Sequence, residues 1–154
     1  MKALIQRVTY ARVTVDKETI SEINSGLLLL LGVEKTDGPA TAAKLCRKVI
    51  NYRVFPDDQG RMNRSLVDTG YSLLVVPQFT LAADTRSGTR PGFSVAAPQD
   101  HAEKLFHEFL LASEQALGRG CVGRGQFGAD MKVALENDGP VTFLLEVEGA
   151  AAQA

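Results

Sequence analysis

Hydrophobic and polar positions along the chain divide it into a few regular elements. Residues 2 to 16, KALIQRVTYARVTVD, are rich in β-branched side chains and alternate with a period of two over ARVTV. They predict one long bent strand or two paired strands. The run GLLLLLGVE at 26 to 34 is instead continuously apolar over the length of a strand. Such a run predicts a central strand covered on both faces. In DGPATAAKLCRKVINYRVF the apolar positions Ala42, Leu45, Cys46, Val49 and Ile50 recur at helical spacing. Asp37 is the expected N-cap, and Pro39 suits the first turn, where its missing N–H costs nothing.

Residues 57 to 72 are polar and punctuated by glycine, which predicts a loop or short hairpin. YSLLVVPQFTL then reads as a second buried strand. Gly88, Pro91, Gly92 and Pro98 exclude regular structure from AADTRSGTRPGFSVAAP, and a loop of that length is usually functional or disordered. Over 98 to 117 a second amphipathic helix turns Ala102, Leu105, Phe106, Phe109, Leu110 and Ala116 inward, and Gly118 ends it. ADMKVALEND and GPVTFLLEVE predict a closing hairpin, followed by a frayed tail, GAAAQA. Inside that hairpin, ENDGPVTF is unusual. Asn, Asp and Gly are turn residues, but Pro140 withholds an N–H where a strand needs one. The element order predicts a layered α/β single domain over 1–148, with a buried sheet under two main helices and a flexible tail over 149–154.

Composition narrows the function. A chain of 154 residues, 45% hydrophobic and 23% charged, suits one globular domain with a substantial core. Its formal net charge of −1 argues against holding DNA or RNA by bulk electrostatics, although local contact with an RNA end stays open. No signal-peptide pattern opens the chain, and no apolar run is long enough to span a bilayer, so a cytoplasmic location and no membrane partner are expected. Cys46 and Cys121 are isolated, which suggests small buried hydrophobes rather than a disulfide or zinc site.

Several chemical signatures fail on context. GRGCVG, at 118 to 123, follows a helix and precedes a strand, the reverse of what a dinucleotide loop requires. His101 and His107 lie six positions apart on one helix, about 240° around it at roughly 100° per residue, and so cannot share a metal. There is no Gly-x-Ser-x-Gly elbow. PQFTL, at 77 to 81, is more informative because it ends a buried strand and opens into the long loop, where α/β domains bind ligands. Gln78 and Thr80 offer hydrogen-bonding groups on one strand face, either for a ligand or for the local backbone. Arg86 and Arg90 in the loop suit phosphate, or are simply solvated.

PQFTLAADTRSGTRPGF and NDGPVTF, taken with MKALIQRVTYARVTV, GLLLLLGVEKTD, RVFPDDQGRMN and RGQFGADMKV, resemble the D-aminoacyl-tRNA deacylase family over nearly the whole chain. Pro77 stands where that family's motif carries Ser, while Gln78 and Thr80 are retained. The resemblance implies a three-layer fold and a homodimer with active sites at the subunit interface. It implies hydrolysis of the ester that joins a D-amino acid, or glycine, to the 3′-terminal adenosine of tRNA. It also implies a cis bond at Gly139-Pro140, with the pair entering the other subunit's site and excluding L-aminoacyl groups. No cofactor or metal is implied.

An aminoacyl ester is already labile, so positioning and oxyanion stabilisation suffice without a protein nucleophile. The backbone N–H groups at Gln78, Phe79 and Thr80 are the candidate donors, with the Gln78 and Thr80 side chains orienting adenosine and ester. Phe127 and Met131 either line the adenine pocket or pack in the core. Two alternatives stay open: a covalent hydrolase using Thr80, and a non-catalytic module that only holds the tRNA end.

Overall fold

The computed structural model describes residues 1–150. Among these, six strands form one mixed sheet: β1 (Lys2–Val15), β2 (Glu18–Ile23), β3 (Gly26–Gly32), β6 (Ser72–Pro77), β7 (Val122–Arg124) and β8 (Lys132–Glu146). β4 (Phe55–Pro56) and β5 (Met62–Arg64) form a separate small ribbon, followed by the single turn of α2 (Leu66–Thr69). The polar stretch at 57 to 72 thus holds part of a short hairpin and a brief helix. The main helices are α1 (Pro39–Ile50) and α3 (Gln99–Leu117).

β1 is one long strand, which resolves the first alternative. Its first half pairs antiparallel with β3 and its second half with β2, while β8 follows nearly its whole length on the other edge. β3, β6 and β7 continue the sheet in parallel, joined through the helical crossovers that parallel pairing needs. This division gives two cores. Leu27, Leu29 and Leu31 of β3 and Leu73 and Val75 of β6 face α1 and α3, where they meet Leu45, Val49, Phe106 and Phe109. Leu28, Leu74 and Val76 face the opposite way, into a second core formed with Val8, Ala11, Val13 and Ile23. The helices, the central strands, and the doubled-over β1, β2 and β8 therefore make three layers. The uninterrupted apolar run of β3 follows directly, since each buried Leu contributes about 1.5–3 kcal/mol on whichever face it lies.

Four details depart from the sequence expectations. Gly38, not Asp37, is the N-cap of α1. Asp37 is buried, where Oδ1 accepts from the Met1 ammonium at 2.7 Å and Oδ2 from the Glu34 N–H at 2.7 Å. A buried charge partner outcompetes an N-cap role. Second, Ala116 is exposed; the inward positions near the end of α3 are Ser113, whose buried hydroxyl donates to the Phe109 carbonyl at 2.8 Å, and Leu117, which packs partly buried against the core. Third, Cys46 is buried and its thiol is pushed up by that burial, but Cys121 is only half-buried.

The fourth concerns the closing hairpin, which does not form. β8 runs unbroken beside β1, and residues 138 to 141 bulge out of it: Gln6 pairs with Thr142 and Val8 with Asn137, so four residues stand opposite Arg7 alone. Of the predicted tail, 151–154 lie outside the described residues. Gly149 packs closely, and a Cβ there would meet the Thr36 carbonyl oxygen at 2.2 Å.

Candidate active site

Where β6 ends, its backbone stops following the strand. The Gln78 N–H still donates to the Leu31 carbonyl of β3 at 2.8 Å, after which Phe79–Ala82 closes into a 3₁₀ turn. Gln78 and Thr80 therefore do not share a strand face as expected. The turn instead brings their side chains together, and the Gln78 amide donates to the Thr80 hydroxyl. The first N–H groups of such a turn have no partner inside it. Here those of Phe79 and Thr80 donate to no group among the described residues, while that of Gln78 is occupied by Leu31.

Beside this turn lies a cavity of about 540 Å³. Leu31, Val33 and Val76 line it from the sheet, and Ala102 and Phe106 from α3. The segment after β7 adds Phe127 and Met131. Phe127 stands 6.0 Å from Phe106 at a tilt of 50° and also packs on the helix-side core, whereas Met131 packs on the second core. Phe127 and Met131 are thus both anchored in a core with one side on the cavity. Pro77, Gln78 and Phe79 line it from the end of β6 and the start of the turn. The result is a largely apolar pocket with a few polar groups, the usual composition of a small-ligand site.

The long segment from Ala83 to Pro98 is irregular yet pinned. Asp84 and Gly92 exchange backbone hydrogen bonds at 2.7 and 3.0 Å, and Ala97 N–H donates to Val33 at 3.0 Å. Phe93 packs against Phe79 with ring centroids 5.1 Å apart and a tilt of 45°, and both rings are exposed. The Arg86 guanidinium grips Asp84 with two bonds of 2.8 and 2.7 Å and holds that carboxyl well below the usual carboxylate range. Its charge is therefore already matched. Arg90 is exposed near the tip of the loop.

In the β8 bulge the Gly139-Pro140 bond is cis, and both residues are exposed. Arg7 braces the bulge: Nε donates to the Asp138 carbonyl at 2.9 Å and sits 3.3 Å from its carboxylate, while Nη1 reaches the Val54 carbonyl at 2.7 Å. Gly139 has φ +142°, and a Cβ on it would lie 2.6 Å from Val141 Cγ2 and 2.9 Å from Val141 N. Neither Gly139 nor Pro140 lines the cavity of its own chain.

A family model described as D-Tyr-tRNA(Tyr) deacylase matches residues 4–146. The chain belongs to this deacylase family. It is 64% identical over 146 residues to a D-aminoacyl-tRNA deacylase of Marinobacter nauticus, covering 95% of this chain and 94% of that one. The Teredinibacter turnerae protein of the same name is 58% identical, covering 95% and 99%. Among solved structures, the c-Myc DNA Unwinding Element Binding Protein superposes with a TM-score of 0.93 at 40% identity, over 97% of this chain and all of that one. A probable eukaryotic D-amino acid tRNA deacylase, 15% identical over 95% of this chain and 98% of its own, shares the fold with a TM-score of 0.83.

Measured against that family, the fold gathers only part of the candidate set. Gln78, Phe79, Phe127 and Met131 converge on one cavity, and Thr80 adjoins it through Gln78. Arg86 and Arg90 sit in the pinned loop, and the histidines serve elsewhere, His101 against the Asp37 carbonyl and His107 against that of Glu103. Sequence reasoning assigned Phe106 and Ala102 to the core alone, because helical spacing reports burial and not which buried residue borders a void. Gln99 and Phe93 were not singled out. The PGF triplet in the irregular loop was the available signal for Phe93.

Proposed function

We propose that the protein hydrolyses the ester joining a D-amino acid, or glycine, to the 3′-terminal adenosine of tRNA, and spares L-aminoacyl-tRNA. The observation that carries this reading is the 3₁₀ turn after β6, whose first N–H groups, those of Phe79 and Thr80, are free among the described residues and whose Gln78 and Phe79 line an apolar cavity in a chain of this family. Water adds to the ester carbonyl, and the two N–H groups stabilise the oxyanion. Collapse of the intermediate releases the amino acid and returns the hydroxyl to the terminal ribose. A donor of this kind is worth about 2.7–4 kcal/mol where measured. The cavity would hold the adenine against Phe127 and Met131, while the Gln78 and Thr80 side chains orient ribose and ester.

Thr80 does not act as a nucleophile in this scheme. Its hydroxyl accepts from the Gln78 amide, which cannot withdraw its proton. Pro77 occupies the family's Ser place in the cavity lining, so the scheme draws on no side-chain hydroxyl there.

Selectivity comes from exclusion. The exposed Gly139-Pro140 bulge is absent from the cavity of its own chain, which supports its insertion into the site of a second copy, as a homodimer would allow. Set beside the substrate Cα, it leaves room for hydrogen or a D side chain and clashes with an L side chain. Glycine passes for want of a side chain. One structural relative bears a name that refers to DNA, but a net charge of −1 gives this chain little backbone-driven affinity for nucleic acid. Deacylation assays on paired D- and L-aminoacyl-tRNAs, with and without chelator, test the reading. Chelator-insensitive cleavage of the D form supports it, and binding without cleavage replaces it with a tRNA-end binding module.

A further inference from the structure

We propose that Asn137 is a positioning residue whose side-chain amide sets the orientation of the Gly139-Pro140 bulge. The inference rests on the exclusion reading above. The bulge leaves β8 at Asn137 and rejoins it at Thr142, and the Asn137 side chain spans that neck. Its Oδ1 accepts from the Val141 N–H at 2.7 Å, and its Nδ2 donates to the Thr142 hydroxyl at 2.9 Å. A longer contact of 3.4 Å runs from Nδ2 to the Val141 carbonyl.

The neck needs such a clamp because normal strand pairing fails there. Pro140 has no N–H, so Val141 carries the first backbone donor after the proline, and residues 138 to 141 have no register partner on β1. An unconstrained four-residue bulge would sample many orientations, and steric exclusion at a Cα requires one. Arg7 braces the bulge from the neighbouring strand, through Asp138 on the near side of the glycine. Asn137 acts on the far side of the proline, within β8 itself. The two contacts bracket the Gly-Pro pair, so that neither of its flanks is free. The side chain must accept at one atom and engage Thr142 at the other, which a primary amide does in one rigid plane.

Deacylation of D-, L- and glycyl-tRNA by the folded dimer tests this. Asn137→Leu keeps the size of the side chain and removes both bonds. The ratio of D to L kcat/KM should fall about tenfold, the equivalent of one lost hydrogen-bonded constraint. Asn137→Asp retains the acceptor for Val141, and the Thr142 hydroxyl can rotate to donate to it, so its ratio should stay close to that of the parent protein. A purely structural role would lower all three substrates together and leave the ratio unmoved. If Asn137→Leu fails to fold, Thr142→Val decides: a lowered ratio supports the clamp, and an unchanged one overturns it. Gly139→Ala run in parallel separates the two claims. Should it alter the ratio while the Asn137 and Thr142 variants do not, the clamp alone is wrong. Should Gly139→Ala also leave the ratio unchanged, the exclusion reading falls and the clamp with it.

Discussion

Gly139 is the residue on which most of the proposed selectivity depends. Its φ of +142° lies where L side chains are strained, and the Cβ of an alanine would press into Val141. Gly139→Ala should therefore displace the bulge and reduce discrimination between D- and L-aminoacyl-tRNA by about tenfold or more, read as the ratio of kcat/KM values. Thr80 makes a complementary prediction. In the proposed scheme the Thr80 hydroxyl is bonded to Gln78 and its backbone N–H donates to the oxyanion, so Thr80→Ala should cost only the orienting bond, about 1 kcal/mol or a fivefold to tenfold loss in kcat/KM. Complete loss of turnover in a folded variant, or a trapped acyl-enzyme, would point to covalent catalysis instead.

At the scale of elements, legibility in the sequence followed how local each determinant was. The strands β3 and β6 were readable because both their faces are buried, so each appears as an unbroken apolar run. The helices α1 and α3 were readable from their spacing. Their ends were less so. Asp37 looks like an N-cap, yet it is claimed by the Met1 ammonium, 36 positions away in the chain. Asn137-Asp138-Gly139 carries local hairpin chemistry, and only the pairing of β8 with both halves of β1 turns it into a bulge. In the same way, the 3₁₀ turn at Phe79–Ala82 was hidden inside an apparently continuous strand, since no glycine or proline marks its start after Pro77. The candidate residues were therefore found before their geometry was. The Asp37 ion pair also carries a stability prediction. Asp37→Ala leaves the buried ammonium with the Val147 carbonyl at 2.8 Å and, as its remaining charged partner, Glu34 at 3.6 Å, and should lower unfolding free energy by about 3–5 kcal/mol in denaturant titrations.

The whole molecule is a three-layer domain in which the cavity and the Gly139-Pro140 bulge occupy separate places on one chain. Selectivity by exclusion then requires two chains, and subunit mixing can test that. A chain with a crippled 3₁₀ turn, Phe79→Pro, still offers its bulge, and a Gly139→Ala chain still offers its turn. Each mixed dimer should regain D-selective activity at one of its two sites, about half that of a parent dimer, which is about a quarter over a fully exchanged equimolar mixture because only about half of its dimers are mixed. Mixtures no more selective than the separate variants would place the whole site within one chain. Beneath all of this stands the claim of enantiomer choice at an aminoacyl ester. The most direct measurement is the rate of deacylation of one tRNA charged in turn with the D and the L form of the same amino acid, at matched enzyme concentration. Rapid hydrolysis of the D ester with the L ester left near its spontaneous rate is the predicted result, and equal hydrolysis of the two would contradict the account.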